Sequence, residues 1–323
     1  MRLAALLLLT PLIAPQEIAW KSDWKATLKE AATSKKLVVL VFQSKDRKAC
    51  LRFEKETLGD PAVQAALAKY LCVRINPEGT DDENKLWQEQ GSPMPPMTLI
   101  FEPEGKLLCS VTPLNPKVYG PMMQNIHPAY FEQILPARSA LATNANDAAA
   151  HRTMGEAYLL MDLSTESSKY FAAAADLMSG NGDKAGALKM LCTQLDKYYE
   201  KKWYSPGRGC CSRIAELDPN NTSGKRPLAA WMLGMASCSE RRWGEAIDGL
   251  KDACERYKDS DLLPKMMFSL ASAYLGAKDF DNAITLYETI VKDFKEKDPE
   301  TVELSQTMAT KTREQRQKAA EGK

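Results

Sequence analysis

Histidine is almost missing from this chain: of 323 residues only two are histidine, His127 and His151, and neither has the sequence context of a catalytic triad. No glycine-rich loop of the kind that cradles phosphate occurs either. Charge of one sign is not in excess, since 43 lysines and arginines face 42 aspartates and glutamates. Nothing in that balance calls for nucleic acid or a membrane surface as a partner. Apolar runs are short. The longest N-terminal one, Leu3 to Ala14, is broken by Thr10 and Pro11 and falls below the roughly 20 residues a membrane span needs.

What is there describes an ordinary globular protein of more than one domain, with 44% hydrophobic and 26% charged residues. Arg2 followed by the short apolar run suits a secretory signal peptide over residues 1–15, and polar residues begin at Gln16. The expectation is an exported chain, periplasmic or extracellular, with no transmembrane segment after cleavage. Eight cysteines in an exported protein invite disulfides. Against this, Cys72 and Cys109 lie in strand-like runs, and Cys192, Cys238 and Cys254 fall at helical spacing, where thiols serve as small core residues. The neighbours Cys210 and Cys211 are not paired with one another here, because bridging adjacent residues is strained. Met94, Met97, Met122, Met123 and His127 could form a soft-metal set. Methionines near a loop are more often packing, so no metal and no other cofactor is expected.

The first half alternates strand and helix. Trp20 to Ala32 has apolar residues at helical spacing, and Leu37 to Phe42 is a continuous β-branched run, as in a strand buried on both faces. A helix is expected from about Ala49 to Leu58, and Asp60-Pro61 caps another that runs to Tyr70. Then follow a strand Leu71 to Ile75, a polar helix around Asp81 to Gln90, and a hairpin of Met97 to Phe101 with Lys106 to Thr112 about the turn Glu102-Pro-Glu-Gly105. A loop from Pro113 to Ile126 is expected to precede a closing helix of about Ala129 to Leu141. This order describes an α/β layer domain.

The VVLVF strand, Glu54-Lys-Glu-Thr-Leu, Asp60-Pro-Ala-Val, MPPMTLIF and EPEG resemble exported thioredoxin-like proteins over residues 18–141. The resemblance places the attacking cysteine at Arg47, the resolving cysteine at Cys50, and a cis-proline at Pro96. Only Cys50 is a cysteine. Attack on a disulfide needs an exposed, acidified thiolate, and Arg47 has none. The residue before the cis-proline, which in the family pairs its backbone with bound peptide, is Pro95 and has no N–H. A thioredoxin-type oxidoreductase activity is therefore expected to be lost. The alternative is a thiol-redox protein that works through Cys50 alone, its thiol acidified by Lys45, Arg47 and Lys48.

From about Asp147 the composition becomes alanine-rich and repetitive. Gly155, Leu195, Gly234 and Ala271 superpose at spacings of 40, 39 and 37 residues. Three residues on come Tyr158, Tyr198, Ser237 and Tyr274; twelve on, Ser167, Gly207, Ala246 and Ala283; sixteen on, Phe171, Cys211, Leu250 and Tyr287. Small residues facing large ones is what nested antiparallel helices require. The pattern resembles tetratricopeptide (TPR) repeats over residues 147–297, followed by a charged C-terminal tail, 298–323, expected to be solvated helix or disorder. The fold class is thus an α/β thioredoxin-like domain followed by an all-α TPR-like helical repeat domain. In TPR proteins the first helix of each pair lines a concave face, which here projects Arg152, Asp196, Tyr199, Trp231, Met235 and Phe268. Packing against neighbouring helices is the competing role for Trp231 and Phe268. The architecture is similar to a bacterial co-chaperone with a cysteine-depleted thioredoxin domain before TPR helices. It implies a non-catalytic protein that binds proteins or peptides, as an adaptor or holdase-type chaperone.

Overall fold

A computed structural model describes residues 17–112 and 115–321. The expected signal segment lies outside the described residues. The chain divides near residue 136 into two compact units, with Ala157–Leu163 grouping with the first.

The first unit is built on a five-stranded mixed sheet in the order β1-β3-β2-β4-β5. The strands are β1 (Trp20–Lys21), β2 (Val38–Phe42), β3 (Leu71–Ile75), β4 (Met97–Phe101) and β5 (Leu107–Val111). β1 and β2 both run parallel to β3, whereas β4 is antiparallel to β2 and to β5. β2 is the central strand and every residue of it is fully buried, which is why its sequence is uniformly apolar instead of alternating. Trp20 is not in a helix, as its spacing suggests. It opens the edge strand β1, and α1 (Trp24–Ser34) begins only after Asp23, whose carboxylate accepts from the N–H groups of Lys25 and Ala26.

After β2 come α2 (Lys48–Arg52), which continues as a π-helical segment Phe53–Leu58, and α3 (Pro61–Leu67), capped by Asp60 with proline at its start. α4 (Asp81–Glu89) carries a capping box between Thr80 and Glu83. From residue 116 onward, the loop expected before the closing helix is a helix itself. Asn115 caps α5 (Pro116–Pro128), and Tyr119, Gly120, Met123 and Ile126 are buried. Pro121 and Pro128 inside it read as breakers in sequence, but the helix runs through both. It continues through a π-helical segment Ala129–Ile134 into α6 (Leu135–Thr143). Gly120 allows the approach of α3, since a Cβ there would touch the Val63 side chain at 3.4 Å.

The second unit is all-helical: α7 (Ala148–Leu160), α8 (Ser164–Gly180), α9 (Lys184–Glu200), α10 (Tyr204–Leu217), α11 (Arg226–Ser239), α12 (Trp243–Arg256), α13 (Leu263–Gly276), α14 (Phe280–Asp293) and α15 (Pro299–Glu321). The repeat is physical. A Cβ on Gly155 would lie 2.9 Å from Phe171, and one on Gly234 would lie 2.4 Å from Leu250. Gly207, costly in a helix by about 1 kcal/mol, admits Met232 and Tyr198 at 3.2 and 3.4 Å from where a Cβ would stand. The turn inside each pair also recurs. Asp162, Lys202, Arg241 and Lys278 all have positive φ, and the next residue's N–H reaches back to the carbonyl of Tyr158, Tyr198, Ser237 or Tyr274 at 2.9 Å. This left-handed closure satisfies the last carbonyls of each first helix. The region is a helical repeat of successive antiparallel-type pairs with the same nesting and the same turn. Residues 299–321 are more than a solvated tail: Val302, Ser305, Ala309 and Thr312 are buried, and Ala309 joins the cluster of Ala271, Ala283 and Tyr287.

Candidate functional site

Two clefts coincide with the sequence-derived candidates, one in each unit. In the first unit, Arg47 stands exposed at the N-cap of α2 with no side-chain capping bond. Its carbonyl accepts from the N–H groups of Cys50 and Leu51 at 2.9 and 3.1 Å. Cys50 lies one turn in, only 3% exposed, and its Sγ accepts from the N–H of Ser44 at 3.4 Å. The peptide between Pro95 and Pro96 is cis and both residues are buried. The residue preceding the cis-proline thus offers no backbone donor.

A cleft of about 520 Å³ opens at the carboxyl ends of β2 and β3, lined by Ser44, Cys50, Glu54, Arg74, Asn76 and Thr80 among others. Its polar groups largely satisfy one another. Glu54 accepts from Gln43 at 3.1 Å and pairs with Arg74, whose guanidinium also lies 4.2 Å over the Trp20 ring. Glu83 accepts from the N–H groups of Asn76 and Thr80 at 3.2 and 3.0 Å. These pairings engage Glu54, Arg74 and Glu83, while the Glu78 carboxylate accepts from Ser44 Oγ at 3.1 Å. His127 packs against Phe131 at 4.8 Å, its pKa lowered by burial and by Lys69. His151 faces the Ala145 carbonyl at 3.0 Å, and neither histidine lines this cleft. Met94 is 75% exposed whereas Met123 is fully buried, and no group of three His, Cys, Asp or Glu among the described residues could hold a metal.

None of the eight cysteines is in a disulfide. Burial pushes the Cys72 and Cys211 thiols up to about 12 and those of Cys238 and Cys254 up to about 11. These are packing residues held in the thiol form.

In the second unit a groove of about 580 Å³ runs across the first helices of successive pairs, α9, α11 and α13, and is closed by α15. Tyr199, Trp231, Met235 and Phe268, four of the six projected residues, line it together. Trp231 is its floor: 7% exposed, it donates its Nε1–H to Ser269 Oγ at 2.8 Å and packs edge-on against Tyr199 at 5.5 Å. Trp231 is therefore packed into the core while also lining the groove. Arg152 and Asp196 do not join the groove. Arg152 pairs with Glu156 along its own helix at 2.8 Å, and Asp196 holds Lys225 at 2.6 Å. Sequence reasoning missed Tyr204, which lies beside Trp231 at 6.3 Å, and Leu304, 49% exposed on α15. Tyr204 begins a second helix and Leu304 falls in the charged tail, so neither carried the first-helix signal.

Residues 19–103 match the sequence model of a thioredoxin-like family, within the first unit. No curated protein matches the chain in sequence. Among solved structures, a point variant of nearly identical TPR-like repeats attributed to a kinesin light chain of Podosopora anserina superposes with a TM-score of 0.36 at 11% identity. The match covers 55% of this chain and 95% of that one. The chain thus joins a unit whose residues 19–103 match a thioredoxin-like family to a unit of repeated helix pairs.

Proposed function

We propose that this protein is an exported, non-catalytic interaction protein, an adaptor or holdase-type chaperone, that captures other proteins in the groove of its helical unit. The observation that carries this reading is the convergence of Tyr199, Trp231, Met235 and Phe268 on one groove. Aromatic and long apolar side chains in a desolvated pocket are the usual anchors of protein recognition. The buried thiol of Cys50 and the arginine at position 47 support a thioredoxin-like unit that works without disulfide exchange. Export rests on the N-terminal apolar segment of the sequence.

The test compares affinity capture from an envelope fraction by the wild-type protein, Cys50→Ser, and the double variant Phe268→Ala/Leu304→Lys. Trp231 is avoided because it is part of the core. Partners lost on the double variant and kept on Cys50→Ser are the expected result. Partners lost on Cys50→Ser and kept on the groove variant would overturn the reading in favour of thiol chemistry.

A further inference from the structure

We propose that the groove of the helical unit takes an uncharged, proline-rich segment of a partner protein in the polyproline II conformation. This deepens the interaction reading above and rests on it. The walls of the groove are helices, which present no sheet edge to a bound chain. An extended, non-proline ligand would therefore bring N–H groups that meet no backbone edge and, once buried, stay unsatisfied at a cost. A proline-rich segment lacks many of those donors and needs only groups that donate to its carbonyls.

The groove's side chains fit that need. Ser269 accepts from Trp231 and donates to the Lys265 carbonyl at 2.8 Å, while Ser272 donates to the Phe268 carbonyl at 2.9 Å. Thr301 donates to Asp298 at 2.7 Å. The hydroxyl protons of the floor are thus already placed. The phenols of Tyr199 and Tyr204 are not: among the described residues neither has a hydrogen-bond partner. Both are half-buried, flank Trp231, and are close enough for Tyr199 to help burial raise the pKa of Tyr204. Aromatic-lined grooves with such donors are a recurring mode of polyproline II recognition.

Charge at the rim agrees. Glu200 and Lys202 lie at one side, Lys265 and Glu300 at the other, and none of the four forms an ion pair among the described residues. Each side carries one charge of each sign, so the rim exerts no net field and complements an uncharged insert. Leu304, exposed at the closed end, supplies apolar surface for a pyrrolidine ring.

The test is fluorescence anisotropy on the full chain with three labelled peptides of about ten residues. One is an uncharged proline-rich peptide, one is its proline-to-alanine counterpart, and one is an amphipathic helical peptide. The proline-rich peptide should bind in preference to the other two. Tyr199→Phe with Tyr204→Phe should weaken it about tenfold, the effect of two modest hydrogen bonds, and Leu304→Lys should weaken it without altering the circular dichroism spectrum. Groove-dependent binding of the helical peptide alone would overturn this inference and leave the interaction reading standing. Binding of none of the three, or proline-rich binding indifferent to both variants, would also overturn it.

Discussion

Replacing Gly234 with alanine should destabilise the helical unit, although the same change in an open helix interior stabilises it. A Cβ at position 234 would stand 2.4 Å from Leu250 Cγ and 2.5 Å from its Cδ2. Leu250 is fully enclosed, so it cannot step aside without displacing its neighbours. Overpacking of this kind costs about 1–3 kcal/mol, whereas the helix-propensity gain returns at most about 1 kcal/mol. The net expectation is a loss of about 1 kcal/mol. Gly249, on the exposed side of α12, has nothing within 4 Å of a built Cβ, so Gly249→Ala should gain about 0.5–1 kcal/mol. Urea unfolding followed by far-ultraviolet circular dichroism reads both through the transition midpoint. A Gly234→Ala protein as stable as the Gly249→Ala protein would refute the claim that small-against-large nesting holds the repeats together.

Three further outcomes follow from the same geometry. Asp218 is buried, yet hydrogen bonds from Ser223 and Thr222 outweigh burial and hold its carboxyl at about 2. Its folded pKa is depressed, so its contribution of about 2 kcal/mol is present above about pH 4 and is lost as pH falls towards about 2. Acid titration of unfolding midpoints should show that loss in the wild type and a flatter profile in Asp218→Asn. Cys238 and Cys254, raised by burial to about 11, should be alkylated at about pH 8 roughly a hundredfold more slowly than an exposed thiol, with rates rising as pH climbs, in a mass-spectrometric time course. Ending the chain after Asp298 removes the partner of Ala271, Ala283 and Tyr287. Light scattering and thermal unfolding should then show lower stability and self-association.

Strands and helices were legible wherever local pattern and tertiary demand agree. The fully buried β2 and the small–large alternation of the repeats are such cases, and the latter appears in the contacts of Gly155 and Gly234. The misreadings arose where sequence punctuation was overridden. The segment from Pro113 to Ile126 reads in sequence as a loop, but from residue 116 it is a helix that carries Pro121 and buries Tyr119 and Met123. Charged residues around Val302, Ala309 and Thr312 hid the packed face of α15. In the groove, Trp231 and Phe268 were readable from helix position, but Tyr204 and Leu304 depend on neighbouring elements that one-helix periodicity does not reveal. Arg152 and Asp196 were projected correctly onto first helices, but ion pairs hold both side chains elsewhere.

The central claim is the proposal that the protein binds partners through its helical unit while its thioredoxin-like unit carries out no thiol exchange, and insulin-disulfide reduction by the full-length protein tests the second half most directly. With Arg47 in place of an attacking cysteine and Cys50 only 3% exposed, turnover should match the uncatalysed background in both the wild type and Cys50→Ser. Turnover well above background in the wild type that Cys50→Ser abolishes would contradict the account.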